Sequence, residues 1–172
     1  RSRCARPQTS VSPETLCEMP RRGIVMAIDT TGKWWIGSDP RDIAEYLEAY
    51  SQDGYPISEF RLSQCPCGSQ IFKLEADDDE GVARRECAKC QLQHFICDSA
   101  EYWDDADPES WQCIECLSTM TNIGVGFAMY PDAPKEIRWL YIGCRCSKCG
   151  VLGCFAGWKV GCSPSSHLLD MT

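Results

Sequence analysis

Hydrophobic positions recur in two rhythms along the chain. Between Asp39 and Gly54 the period is helical: Ile43, Tyr46, Leu47 and Tyr50 fall at i, i+3, i+4 and i+7, with Glu45, Glu48 and Gln52 opposite. Asp39 is placed to cap this helix, Pro40 suits its first turn, Asp42 adds negative charge there, and Gly54 is placed to end it. Elsewhere the period is two. Residues 24–30 (IVMAIDT) and 33–36 (KWWI) read as short strands about Gly32, and residues 57–63 as another. In residues 70–76 (QIFKLEA), Phe72, Leu74 and Ala76 alternate with Ile71, Lys73 and Glu75 before an acidic turn, DDDEG, returns the chain through 82–86. Residues 122–130 and 136–143 predict a hairpin joined by PDAP. The fold class is therefore α+β, mainly antiparallel β with one N-terminal amphipathic helix.

Divided by pattern and composition, the chain gives six segments. Residues 1–22, rich in Arg, Ser, Pro and Thr, read as a disordered arm, with Met26 a candidate initiator behind it. A strand–helix–strand front segment covers 23–63, and cysteine-bearing β segments cover 64–97 and 111–162. Between these lies the linker 98–110, which holds acidic residues and no basic one. Residues 163–172 read as a frayed tail carrying His167.

Charge narrows the choice of partners. The 172 residues carry 25 Asp+Glu against 17 Lys+Arg, a formal charge of −8, and the excess of base lies in the arm. A nucleic-acid binder derives most of its affinity from phosphate contacts and shows a basic face, so nucleic acid is not the expected partner. No stretch approaches the ~20 apolar residues of a membrane span, and the arm lacks the apolar core of a signal peptide. The expected compartment is a reducing cytoplasm, where paired cysteines mean metal more often than disulfides.

Fourteen cysteines are the strongest signal in the chain. Cys65-x-Cys67 and Cys87-x-x-Cys90 bracket a strand–turn–strand, which brings both pairs to one end of a hairpin, as a tetrahedral four-thiolate zinc site requires. Cys113-x-x-Cys116 is followed by the predicted hairpin and by three clustered cysteines, Cys144, Cys146 and Cys149. CAKC at 87–90 and CSKC at 146–149 agree at three of four positions, which assigns Cys146 and Cys149 to the second site and leaves Cys144 over. The rival is a C-x-C pair of Cys144 with Cys146, like Cys65 and Cys67. Cys97, Cys144 and Cys154 are expected as small buried hydrophobes, and Cys4 and Cys17 as free thiols.

CPCG…CAKC over 65–97 and CIEC…CSKCG over 113–154 resemble zinc ribbons, in which two cysteine turns clamp zinc above a small β-sheet. That family includes transcription factors, ribosomal proteins, enzymes and uncharacterised bacterial proteins of no known activity, so the resemblance implies metal and fold rather than an activity. Two zinc ions are expected. Eight thiolates and two divalent ions would take the formal charge from −8 to −12. Lys89, Lys148 and Arg145 sit in the turns to offset it. Four sulfurs leave no open coordination position, so the metal would be structural.

Catalytic patterns are missing from the sequence: there is no phosphate loop, no G-x-S-x-G and no H-E-x-x-H. His94, in CQLQHFIC, reads as a sheet-face histidine, and the C-x-x-C pairs lack the βαβ setting of a thioredoxin-like site. The expectation is a non-enzymatic, zinc-binding protein-interaction or regulatory module, with Trp103 and Trp111 flanking an acidic stretch as a candidate contact. One alternative is an acidic, immunity-type inhibitor of a basic nucleic-acid-acting protein, since 75–80 and 98–109 hold eleven acidic side chains and no basic one. The other is a nucleic-acid-binding ribbon using Arg84, Arg85, Lys89 and His94, or Lys135, Arg138, Arg145 and Lys148.

Overall fold

A computed structural model describes residues 28–161 and 164–172. The arm with Cys4 and Cys17, most of the expected strand 24–30, and Cys162 lie outside the described residues. The expected helix is present as α1 (Asp42–Tyr50), shorter than its pattern because its ends are irregular turns. The residue at the N-cap position is Arg41, which makes no side-chain cap bond. Asp39 acts in the turn before it: its Oδ1 accepts the Arg41 N–H at 2.9 Å, and its carbonyl accepts that of Asp42 at 3.0 Å. The expected strand 33–36 reduces to Ile36, which bridges Asp29 on one side and Val151 on the other. Trp34 and Trp35 turn to different cores on either side of it.

Eight antiparallel strands form one sheet. They are β1 (Glu59–Leu62), β2 (Phe72–Asp77), β3 (Val82–Cys87), β4 (Gln93–Phe95), β5 (Glu109–Ser110), β6 (Thr121–Tyr130), β7 (Ala133–Cys146) and β8 (Leu152–Lys159). The order is β4-β3-β2-β6-β7-β8, with β1 also on β6 and β5 also on β2. β1 runs along β6 from Glu59↔Phe127 to Leu62↔Gly124, and β2 meets the same strand at Phe72↔Thr121. β1 and β2 thus form one interrupted strand, and the interruption is the first cysteine turn. β7 extends beyond its expected end at 143 to Cys146, as β3 runs to Cys87.

β6 is buried from Thr121 to Ala128 because both of its faces are covered. Ile123, Val125 and Phe127 point into the larger core, with Phe72, Leu74, Ile137, Leu140 and Ile142. Gly124, Gly126 and Gly143 face α1, whose Ile43 and Leu47 are fully buried. A Cβ on Gly143 would lie 2.5 Å from Ile43 Cγ2, and one on Gly124 2.5 Å from the Phe60 ring. Three bare positions therefore let the helix rest directly on the sheet. The outer edge of β8 is partly covered: Trp35 O accepts the Leu152 N–H at 2.9 Å and Asp78 Oδ1 accepts that of Gly157 at 2.6 Å.

Residues 98–110 hold two 3-10 turns, Ser99–Glu101 and Trp103–Asp105, followed by β5. Trp103 is half-buried under Arg84, whose guanidinium lies 4.5 Å from the ring, and Trp111 is buried. The C-terminal segment is packed rather than frayed. Leu168 fills the core at 1% exposure, Met171 O accepts the Cys97 N–H at 2.7 Å, and the Ser165 hydroxyl accepts that of Ile137 at 2.7 Å. His167 remains exposed. No helix among the described residues is long and apolar enough to cross a membrane.

Candidate metal centres

Three of the four cysteine turns share one hydrogen-bond plan. The N–H of the first cysteine reaches the carbonyl five residues on: Cys87 to Leu92 at 2.9 Å, Cys113 to Ser118 at 2.9 Å, Cys146 to Val151 at 2.8 Å. The residue after the second cysteine returns its N–H to the first cysteine's carbonyl at 2.9 Å in each case. That residue must take a left-handed backbone: Gln91 has φ 61, Leu117 φ 59 and Gly150 φ 78. The C-x-C turn is the same device with one residue fewer. Cys65 N–H reaches Ser69 O at 2.9 Å, Gly68 N–H reaches Cys65 O at 2.8 Å, and Gly68 has φ 85.

The turns bring together two groups of four thiols, Cys65, Cys67, Cys87, Cys90 and Cys113, Cys116, Cys146, Cys149, with all sulfurs of a group within 4.8 Å of one another. Sulfur separations are 3.4 Å for Cys65–Cys90 and 3.6 Å for Cys67–Cys87, and 3.5 Å for both Cys113–Cys149 and Cys116–Cys146. Four thiolates at about 2.3 Å from a tetrahedral metal would be about 3.8 Å apart, whereas a disulfide needs about 2.05 Å. The residues therefore fit a metal ion, one per group. Cys65, Cys87, Cys113 and Cys146 form the buried side, while Cys67 and Cys90 are exposed and Cys116 and Cys149 half-buried.

Backbone amides prepare one buried sulfur of each group for metal. The N–H of Cys90 leads the effects that hold the Cys87 thiol down to about 6. At Cys146 burial opposes ionisation, but the N–H groups of Cys149 and Lys148 outweigh it and bring the thiol to about 7. Cys144, the remaining member of the CRCSKC cluster, lies in the core at 1% exposure and is not grouped with Cys146. Burial pushes its thiol far above the ordinary range. Cys97 is buried and Cys154 half-buried, the latter pushed up to about 12 chiefly by burial.

Of the cations expected to offset the thiolates, Lys89 and Lys148 are exposed on their turns. Arg145 is engaged elsewhere. Its Nε donates to Gly37 O at 2.9 Å, Nη2 to Ser38 O at 3.1 Å and Nη1 to Asn122 Oδ1 at 3.1 Å, tying the loop before α1 to the sheet. Arg84 pairs with Glu75 at 2.7 Å. Arg85, read in the sequence only as part of a surface strip, is buried beside the first group. Its signal was the alternation of β3, in which Ala83, Arg85 and Cys87 all point inward.

Beside the second group lies an apolar groove of about 330 Å³, lined by Trp34, Ile114, Val151, Leu152 and Phe155 next to Cys113. Ile114, which lines it, and Leu117, three residues on in the same cysteine turn, are each 67% exposed. Phe155 also walls an acidic concavity of about 370 Å³ formed by Asp77, Asp78, Asp79, Asp107 and Glu109. Comparison of the chain with protein-family models, curated proteins and solved structures gave no match.

Proposed function

We propose that this chain is a non-catalytic zinc protein that docks a protein partner, with two zinc ions as rigid supports and the groove beside the second centre as the contact. The observation that carries this reading is the conjunction at that groove. Two aliphatic side chains are held in solvent on one cysteine turn, one of them in a left-handed backbone that costs free energy, and the other, Ile114, lines an apolar cavity. Four-sulfur coordination leaves zinc no site for substrate, which supports a structural metal. Tetrahedral thiolate sets suit zinc among the common divalent ions.

The adjoining acidic wall supports a basic partner. A segment presenting an apolar side chain to the groove and Lys or Arg to Asp77, Asp78 and Asp107 would match both surfaces, with salt weakening the encounter. This favours the basic partner expected of an acidic inhibitor over a nucleic acid, since Arg84, Arg85 and Arg145 are engaged within the protein.

Selection of a random displayed-peptide library on the zinc-loaded protein tests the reading. Enriched peptides should combine an apolar residue with Lys or Arg, bind more weakly as salt rises, and lose binding to Ile114→Asp. No enrichment, or binding indifferent to that exposed substitution, would overturn it.

A further inference from the structure

Arg85 is the only buried Lys or Arg among the described residues, 3% exposed on β3. Three ion pairs occur among those residues and none includes it. Its Nη2 donates to Thr172 O at 3.0 Å and lies 3.5 Å from Gln64 O, and its guanidinium stands 4.6 Å from the Phe72 ring centre. The buried Nε and Nη1 have no hydrogen-bond partner. His94, directly across on β4, supplies no negative charge, and its own buried Nε2 is likewise without a partner.

A buried guanidinium whose Nε and Nη1 lack acceptors is strongly unfavourable. The groups that favour its charge are Cys65 and Cys87, whose sulfurs belong to the first metal centre. With a divalent ion and four thiolates that centre has a net charge of −2, spread over sulfurs that accept N–H hydrogen bonds.

We propose that Arg85 is the built-in counter-charge of the first metal centre, so that metal held there and the buried guanidinium stabilise each other. Among the described residues the second centre has no such buried partner, because the nitrogens of Arg145 are taken by Gly37, Ser38 and Asn122. The two centres are thus chemically unequal despite matching turns. The guanidinium also joins the first centre to the C-terminal segment through Thr172.

This role for Arg85 rests on the centres holding a divalent metal, and one experiment separates the two claims. The intact zinc-loaded protein is exposed to graded chelator and a thiol-alkylating reagent, and modified cysteines are mapped by mass spectrometry. In Arg85→Met, Cys67 and Cys90 should become modified at roughly tenfold lower chelator than in the wild type, the scale of losing a partner just outside the metal's ligands. Cys116 and Cys149 should be unchanged, which also reports that the protein is folded. Arg85→Lys, which keeps the charge, should lie near the wild type. Should Arg85→Met fail to fold, Arg85→Gln carries the same comparison, keeping a donor for Thr172 without the charge. Equal loss at both centres, no loss at either, or a lysine variant as poor as the neutral ones would overturn the proposal. A wild-type protein that binds no metal at all would instead overturn the metal assignment.

Discussion

Gln91 and Leu117 stand where their turns call for glycine, the residue found at the equivalent positions 68 and 150. Replacing either with glycine relieves a left-handed backbone, an effect of ~1 kcal/mol. Leu117→Gly should therefore raise the thermal midpoint of the metal-loaded protein slightly while weakening peptide binding. A lower midpoint would show that Leu117 serves packing. Cys144→Ser should leave two metal ions per chain by elemental analysis, whereas Cys146→Ser should leave one, because only Cys146 belongs to a thiol group. Protons compete for the same sulfurs. Cys87 is held down at about 6 from an ordinary 9.0, so its thiolate contributes stability that is complete above pH 9 and lost as pH falls through 6. Cys65 of the same group is pushed up to about 12. Apparent zinc affinity, measured against a pH-characterised chelator, should therefore already decline as pH falls below 9 and steepen further below about pH 6, where Cys87 also takes a proton. The eight grouped cysteines were legible from spacing and from the CAKC/CSKC match. Arg85 was hidden because a charged residue is read by default as solvent-facing, and only the alternation through Ala83 and Cys87 reveals its direction.

Among the elements, α1 shows most directly how sequence becomes packing. Its apolar stripe was evident from a 3.6-residue period, but the surface that receives it was not, since Gly124, Gly126 and Gly143 supply that surface by having no side chain. Gly143→Ala should destabilise the protein by roughly 1–3 kcal/mol, the cost of overpacking a core, because the added carbon meets Ile43 and Leu47. Gly153→Ala, on the neighbouring β8, has open space around its new carbon and should cost much less. Equal midpoints in denaturant for the two variants would refute this account of the helix seat. Strand ends were less legible. KWWI has strand composition yet makes only bridges at Ile36, because its two tryptophans are drawn to separate cores.

For the whole molecule, the α+β class and antiparallel character followed from local pattern, while the order of the strands did not. Periodicity reports which face of a strand is buried and says nothing about a partner sixty residues away, so the pairing of β1 with β6 had no signature in the sequence. That pairing has a consequence for synthesis. The leaf of β2, β3 and β4 is local and has all four of its cysteines once Cys90 leaves the ribosome. β1 and α1 emerge earlier, yet their supporting strands, β6 and β7, lie further along the chain. The first half must therefore spend part of translation with its helix stripe uncovered, and long-range strand pairing is slow. Metal capture by the leaf would shorten the part of the nascent chain that remains unfolded. Metal supply during translation, and not only afterwards, would then help determine how much chain escapes aggregation.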